Sequence, residues 1–179
     1  KPPTEVADEF RRWLSEMEVL TRLELPRAYV DFPLKDCVLS LHLFVDAGTE
    51  AYAAAVYMRI EHSTGIYVRL VAAKGRVAPL KYISIPRLEL CSGVLGARLL
   101  VSVKQWHRRL KFIDYFCWTD SITSYRWITS PHLPRTTFTA PRISEIQELT
   151  SVDRWRYVPT KVNVADYGTK QRDMDYSNN

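Results

Sequence analysis

The sequence predicts one α/β domain with a sheet of mixed strand direction, preceded by a short helical arm. Three observations carry that prediction. Strand-length segments joined by short turns fill residues 38–73, a long helical pattern covers 87–106, and shorter strand and helix patterns alternate after it. The chain has 179 residues, the size of an ordinary domain, and its 46% hydrophobic and 25% charged content excludes wholesale disorder.

The elements follow in order. Over residues 4–20, Phe10, Trp13, Leu14, Met17 and Leu20 or Thr21 recur at helical spacing with Glu and Arg between them, giving an amphipathic helix whose stripe reads as a packing face. Pro26 and Pro33 make 23–35 an extended connector. From Cys37 the core begins. Residues 38–45 are apolar at nearly every position, as in a strand buried on both faces, and stop in the turn Asp46-Ala47-Gly48-Thr49. Residues 51–61 and 66–73 are further strands around the turn His62-Ser63-Thr64-Gly65, which makes an antiparallel meander. A loop over 75–84 leads to Pro86, at the favoured first-turn position of a helix over 87–106.

Gly93 and Gly96 lie four and seven residues after Glu89, on the same helical face. Each glycine costs about 1 kcal/mol relative to alanine in a helix. The cost makes sense if this face presses closely on a sheet. Residues 112–118 form a fourth strand closing in Thr119-Asp120-Ser121. Then come a short helix over 122–129, a loop over 130–134, and a helix over 138–150 with Ile143, Ile146 and Leu149 inward. Residues 153–159 alternate as a fifth strand, and Val162-Asn163-Val164-Ala165-Asp166 opens a last short helix ending near Lys170. The expected boundaries are an arm and connector over 1–36, the domain over 37–172 and a polar tail over 173–179.

Charge is distributed unevenly. Residues 1–36 hold six Lys/Arg and eight Asp/Glu, net −2, whereas 37–179 are net +7. Between 71 and 111 lie nine basic residues (Lys74, Arg76, Lys81, Arg87, Arg98, Lys104, Arg108, Arg109 and Lys111) and one acid, Glu89. Such a face suits a polyanion, with Lys74, Arg76, Arg87 and Lys104 as candidate phosphate contacts. A solvated surface without a partner is the plain alternative.

No apolar run reaches the roughly 18 residues of a membrane helix, so no membrane partner is expected. Cys37, Cys91 and Cys117 form no disulfide framework and no C-x-x-C pair, and His42, His62, His107 and His132 show no metal-ligand spacing. These features fit a reducing compartment. The chain starts at Lys1 rather than Met, which reads as a piece of a longer polypeptide.

Four acids occupy unusual places. Asp46 and Asp120 end apolar strands, Glu89 sits on the glycine-bearing helix face, and Asp166 opens the last helix, 43, 31 and 46 residues apart. Taken singly, an Asp after a strand is usually a turn or cap residue. Jointly, four converging carboxylates repel one another, and divalent cations remove that conflict. Oxygen ligands without His or Cys favour Mg²⁺ or Mn²⁺, and two such ions suit phosphodiester hydrolysis.

The motifs carry a resemblance. Leu-His-Leu-Phe-Val-Asp-Ala (41–47), Val-Ala-Ala-Lys-Gly-Arg-Val-Ala-Pro-Leu (71–80), Ile-Pro-Arg-Leu-Glu-Leu (85–90), Trp-Thr-Asp-Ser (118–121) and Val-Pro-Thr-Lys-Val-Asn-Val-Ala-Asp (158–166) resemble the RNase H domain of Bel/Pao-type LTR retrotransposon polyproteins. The resemblance covers roughly 37–172. It implies an RNase H-like fold: a five-stranded mixed sheet, first three strands antiparallel, with helices on both faces. It implies hydrolysis of the RNA strand of an RNA–DNA hybrid during reverse transcription, leaving 5′ phosphate and 3′ hydroxyl. It further implies two Mg²⁺ or Mn²⁺ ions. Asp46 would be shared by both, Asp166 would complete the site that activates water, and Glu89 with Asp120 would hold the ion at the leaving 3′ oxygen. The reverse transcriptase domain of the same polyprotein is the implied protein partner, and the cytoplasm, in a virus-like particle, or the nucleus the implied location.

The chain departs from that family's pattern at Gly48, where Ser is common, at Cys91-Ser92-Gly93, and at Tyr167-Gly168, where Leu-Ala is usual and where the glycine is expected to weaken the helix carrying Asp166. No histidine lies between Leu133 and Asp166 to assist turnover; His132 is the nearest upstream. Two other readings stand beside the nuclease: a domain that grips nucleic acid or a neighbouring domain without cutting, and an integrase-type strand-transfer enzyme. The Asp-Glu-Asp-Asp order argues against the second, which ends in Glu.

Overall fold

The computed structural model of the chain describes residues 3–22, 24–130 and 136–170. The described residues form two compact units, one ending at Asp31 and one starting at Phe32. In the first, α1 (Thr4–Met17) continues into a 3-10 turn over Glu18–Arg22. Asp8 pairs with Arg11 and Arg12 with Glu16 along the helix. Its apolar stripe stays open: Phe10 is 57% exposed and Trp13 51%, with their rings 5.8 Å apart.

The second unit is built on a five-stranded sheet in the order β3-β2-β1-β4-β5. The strands are β1 (Val38–Ala47), β2 (Ala51–His62), β3 (Gly65–Val77), β4 (Phe112–Thr119) and β5 (Trp155–Tyr157). β1 runs antiparallel to β2, and β2 to β3, whereas β4 runs parallel to β1 and β5 to β4. The meander expected from the short turns is therefore present, and the fold is RNase H-like. α2 (Ile85–Trp106), α3 (Ile122–Thr129) and α4 (Thr139–Leu149) pack around one another on one face.

β1 is the centre, with one face apolar at every position; on the other face His42 and Phe44 are only half-buried, so the strand is less enclosed there than its apolar run predicts. Leu39, Leu41, Leu43 and Val45 are at most 2% exposed and face α2, as do Ala54, Val56, Met58 and Ile60 of β2. The seat of α2 is set by Gly96, where an added Cβ would lie 2.5 Å from Val45 Cγ1 and 2.9 Å from Leu43 Cδ1. Gly93 faces elsewhere, toward Ile146, Ile128 and Trp155. The glycines thus serve two contacts, one with the sheet and one with α3, α4 and β5.

Three expectations differ from the structure. β3 extends to Val77, because its outer half pairs with β2 despite its polar side chains (Lys74, Arg76). β5 is only three residues long, because residues 152–154 turn as a 3-10 helix before it. The last segment is not an α-helix but two 3-10 turns, Thr160–Val162 and Val164–Gly168. The second turn lies against Ala53, on the sheet face opposite α2. The loop over 131–134, His132 included, and the tail lie outside the described residues.

These contacts predict unequal effects of two similar substitutions. Gly96→Ala is expected to destabilise by about 1–3 kcal/mol through overpacking against β1, beyond what helix propensity returns. Gly93→Ala meets the flexible tip of Ile146 at 3.0 Å and should stay near wild type. Urea unfolding midpoints check this; equal midpoints for the two variants would contradict the seating of α2.

Candidate metal centre

The topology delivers the acids to one end of the sheet. Parallel pairing sets Val45 beside Thr119, so the next residues, Asp46 and Asp120, emerge side by side. α2 crosses β1 with its first turns at that end, which brings Glu89 over Asp46. Ligand oxygens of Asp46, Glu89 and Asp120 all lie within 4.8 Å of one another. Asp46 is 5% exposed and Glu89 8%. Asp166 arrives from the 164–168 turn, close enough for its charge to act on Asp46, but outside that trio.

The 164–168 turn is fastened by residues that strand and helix patterns do not single out. The Asn163 side chain donates to the Val45 carbonyl at 3.0 Å, and its oxygen accepts from the Ala165 N–H at 3.2 Å. It is both the cap of the turn and its staple to β1, a role its position three residues before Asp166 could have signalled. Gly168 lets the turn approach β2: an added Cβ there would be 2.7 Å from Ala53 Cβ. The expectation that this glycine weakens the Asp166 helix is replaced by a packing requirement. At Gly48 a Cβ would sit 3.2 Å from the Thr169 carbonyl, so the small residue there serves the same approach. In consequence the Thr169 hydroxyl donates to Asp46 Oδ2, and Lys170 Nζ reaches Asp166 Oδ1 at 2.5 Å. Neither Thr169 nor Lys170 carried a signal in the sequence.

Electrostatics follow from this crowding. Burial pushes the Glu89 carboxyl up to about 9; the charges of Asp46 and Asp120 add to this, and the Ala47 N–H pulls weakly the other way. Burial also raises Asp46, against the hydrogen bond from Thr169; Asp120 and Asp166 raise it further, and Lys170 lowers it. Glu89 Oε2 and Asp120 Oδ1 are buried without any hydrogen-bond partner. Orphaned carboxylate oxygens in a cluster of acids call for a cation. With oxygen donors alone, the residues present fit a hard divalent ion such as Mg²⁺ or Mn²⁺.

The four basic candidates separate. Lys74 and Arg76 are exposed on β3 and line a groove of about 670 Å³ with Arg98, Trp106, Arg142 and Glu145. Arg98 there pairs with Glu145 at 2.9 Å. Arg87, in the first turn of α2, lies over the Phe138 ring at 5.1 Å. Lys104 is not with them: its ammonium sits 3.4 Å above Tyr115, at the other end of α2 from Glu89, where burial lowers its pKa. Among the aromatics, Trp155 is a core residue donating to Thr150, and Trp118 donates to His42. Cys37, Cys91 and Cys117 are free thiols, and no described helix is long and apolar enough to cross a membrane.

A sheet with an antiparallel β3-β2-β1 half and a parallel β1-β4-β5 half, with acids gathered where β1 and β4 end, defines an RNase H-like domain. The profile of the Pao retrotransposon-like RNaseH-like domain family matches residues 1–121, and the chain belongs to that family. Among solved structures it is similar to the N-terminal RNase H domain of Rv2228c from Mycobacterium tuberculosis, solved as a fusion with maltose-binding protein (12% identity, 73% of this chain and 88% of that one, TM-score 0.47). It is similar also to RNase H1 from Halobacterium salinarum NRC-1 (16%, 70% and 88%, 0.45) and to LC11-RNase H1, solved with an RNA/DNA hybrid (11%, 73% and 92%, 0.48). A search of curated proteins finds no match.

The raised Glu89 carboxyl gives a pH test. Between its ordinary value of 4.5 and about 9, the unfolded chain releases a proton that the folded, metal-free chain keeps. The contribution of Glu89 to stability is therefore fully present below about pH 4.5 and is lost as pH rises toward 9. Melting temperatures in chelator are expected to fall across that window, and Glu89→Gln to flatten the fall. An unchanged slope in Glu89→Gln would show that Glu89 is not the group responsible.

Proposed function

We propose that this domain is a metal-dependent endoribonuclease that hydrolyses the RNA strand of RNA–DNA hybrids during reverse transcription of a retrotransposon. The observation that carries it is the convergence of Asp46, Glu89 and Asp120 within 4.8 Å, with two buried oxygens left without partners. Asp46, Glu89 and Asp120 would hold one divalent ion, Mg²⁺ or Mn²⁺, and Asp46 with Asp166 a second. When bound, such ions supply an activated water and charge stabilisation at the scissile phosphodiester, leaving 5′ phosphate and 3′ hydroxyl.

The chain's own residues do the rest. The Thr169 hydroxyl fixes one oxygen of Asp46. Lys74 and Arg76 offer exposed cations to phosphates, and Arg87 adds another at the helix end nearest Glu89. Lys104, engaged with Tyr115, has the weakest claim to such a contact. A hybrid is distinguished from duplex DNA through 2′-hydroxyls in its wide minor groove. In this reading the domain works beside the reverse transcriptase domain of the same polyprotein, in the cytoplasm within a virus-like particle.

Incubation with end-labelled hybrid and Mg²⁺ or Mn²⁺ tests the proposal. Wild type is expected to cut the RNA strand. Asp46→Asn should lose more than about a hundredfold in rate while hybrid binding survives. Lys74→Ala and Arg76→Ala should weaken binding alike on all sequences, each reducing the slope of log K against log salt by about one. Hybrid binding with no cleavage in any divalent metal would favour the reading of a gripping module that does not cut.

A further inference from the structure

Asp46, Glu89 and Asp120 come within 4.8 Å of one another, and Glu89 and Asp120 each keep a buried oxygen without a partner; Asp166 is placed differently. Asp166, whose side chain is 8% exposed, spends one oxygen on Lys170 Nζ at 2.5 Å, and the lysine side chain is 53% exposed. The positive charge also acts on Asp46. Lys170 follows Asp166 by four residues, so one turn of chain supplies both the carboxylate and its counter-charge. Its position depends on Gly168 seating against Ala53 and on Thr169 bonding to Asp46.

We propose that Lys170 is an internal counter-ion held where a second divalent cation would bind, so that this cation must displace the ammonium from Asp166, whereas the ion held by Asp46, Glu89 and Asp120 has no such competitor. The proposal rests on the metal-site reading given above. It follows that the two ions bind by different exchanges: the first fills a trio with unpartnered oxygens and displaces the proton from Glu89, and the second exchanges one ion pair for another. The ammonium is half exposed, so the competition should weaken the second step only severalfold. Lys170 is in this sense a positioning residue. It sets how much metal the site requires and touches no reacting atom.

Titration of the full chain with Mn²⁺ alone, in low salt at pH 7, tests this by calorimetry and by the electron paramagnetic resonance signal of free Mn²⁺. Wild type should show a tighter and a weaker step. Lys170→Met should tighten the weaker step by roughly three- to tenfold and leave the tighter one within about twofold, while Lys170→Arg should keep the wild-type pattern. In chelator, Lys170→Met should melt lower than wild type, yet gain more from added Mn²⁺. Unchanged binding in Lys170→Met, or a weaker second step, would overturn the counter-ion role. Asp46→Asn separates the two ideas. If it abolishes the tighter step while Lys170→Met is inert, the metal site stands and the counter-ion does not. If it binds Mn²⁺ as wild type does, the metal site itself is wrong.

Discussion

Carboxylate repulsion in a confined space is the constraint on which the second unit depends. Two charges about 5 Å apart at an effective dielectric near 20 repel by about 3 kcal/mol, and here several such pairs share the end of one sheet. The molecule answers in different ways at different acids. Glu89 holds its proton, with its pKa pushed to about 9. Asp46 accepts the Thr169 hydroxyl, and Asp166 takes the Lys170 ammonium. Glu89 Oε2 and Asp120 Oδ1 are left without any answer from the protein itself. A fold that gathered these groups for stability alone would have given those two atoms donors.

Packing converts that local conflict into a fixed geometry. β1 cannot shift, because its inward leucines are shared between β2, β4 and α2. α2 cannot ride higher, because Gly96 sets the helix backbone against Val45, and Glu89 is carried down with it. On the opposite face the 164–168 turn is held by Asn163 on Val45 and by Gly168 on Ala53. Both sides of the site are therefore anchored to the same stretch of β1, immediately before Asp46. Rigid elements on either side are what a cation site needs, because ligand oxygens that could relax apart would not hold an ion.

Much of this was legible in the sequence, and the boundary is physical. Asp46 and Asp120 stood out because each ends an apolar run whose period marks a buried strand, and Glu89 because two glycines follow it at helical spacing. Those are one-dimensional signals. Thr169 and Lys170 gave none, because their meaning depends on where the 164–168 turn lands, a tertiary matter. The same cause explains the misjudged last segment: the residues after Asn163 have helical spacing, but the demand that Gly168 contact Ala53 tightens them into 3-10 geometry. Charge alone places Lys104 with the surface bases. Charge does not reveal that a lysine stem can lie along a helix and park its ammonium on Tyr115.

The distribution of charge separates holding a strand from acting on it. Residues 37–179 carry net +7, yet four of their twelve acids gather at the end of β1, so a phosphate backbone is attracted by the domain and repelled by the metal-free centre. Lys74 and Arg76 belong to β3, two strands away from β1, and line a groove to which none of the four acids contributes. Attraction through that groove requires no ion, whereas approach of a scissile phosphate to Asp46 and Asp120 requires their charge to be neutralised first. Divalent cations thus do two things in the proposed reaction: they supply its chemistry, and they make the acidic end compatible with an anionic substrate. Lys170 already meets part of the second need at Asp166, which is why the same lysine can make the site tolerable in the absence of metal and harder to fill in its presence.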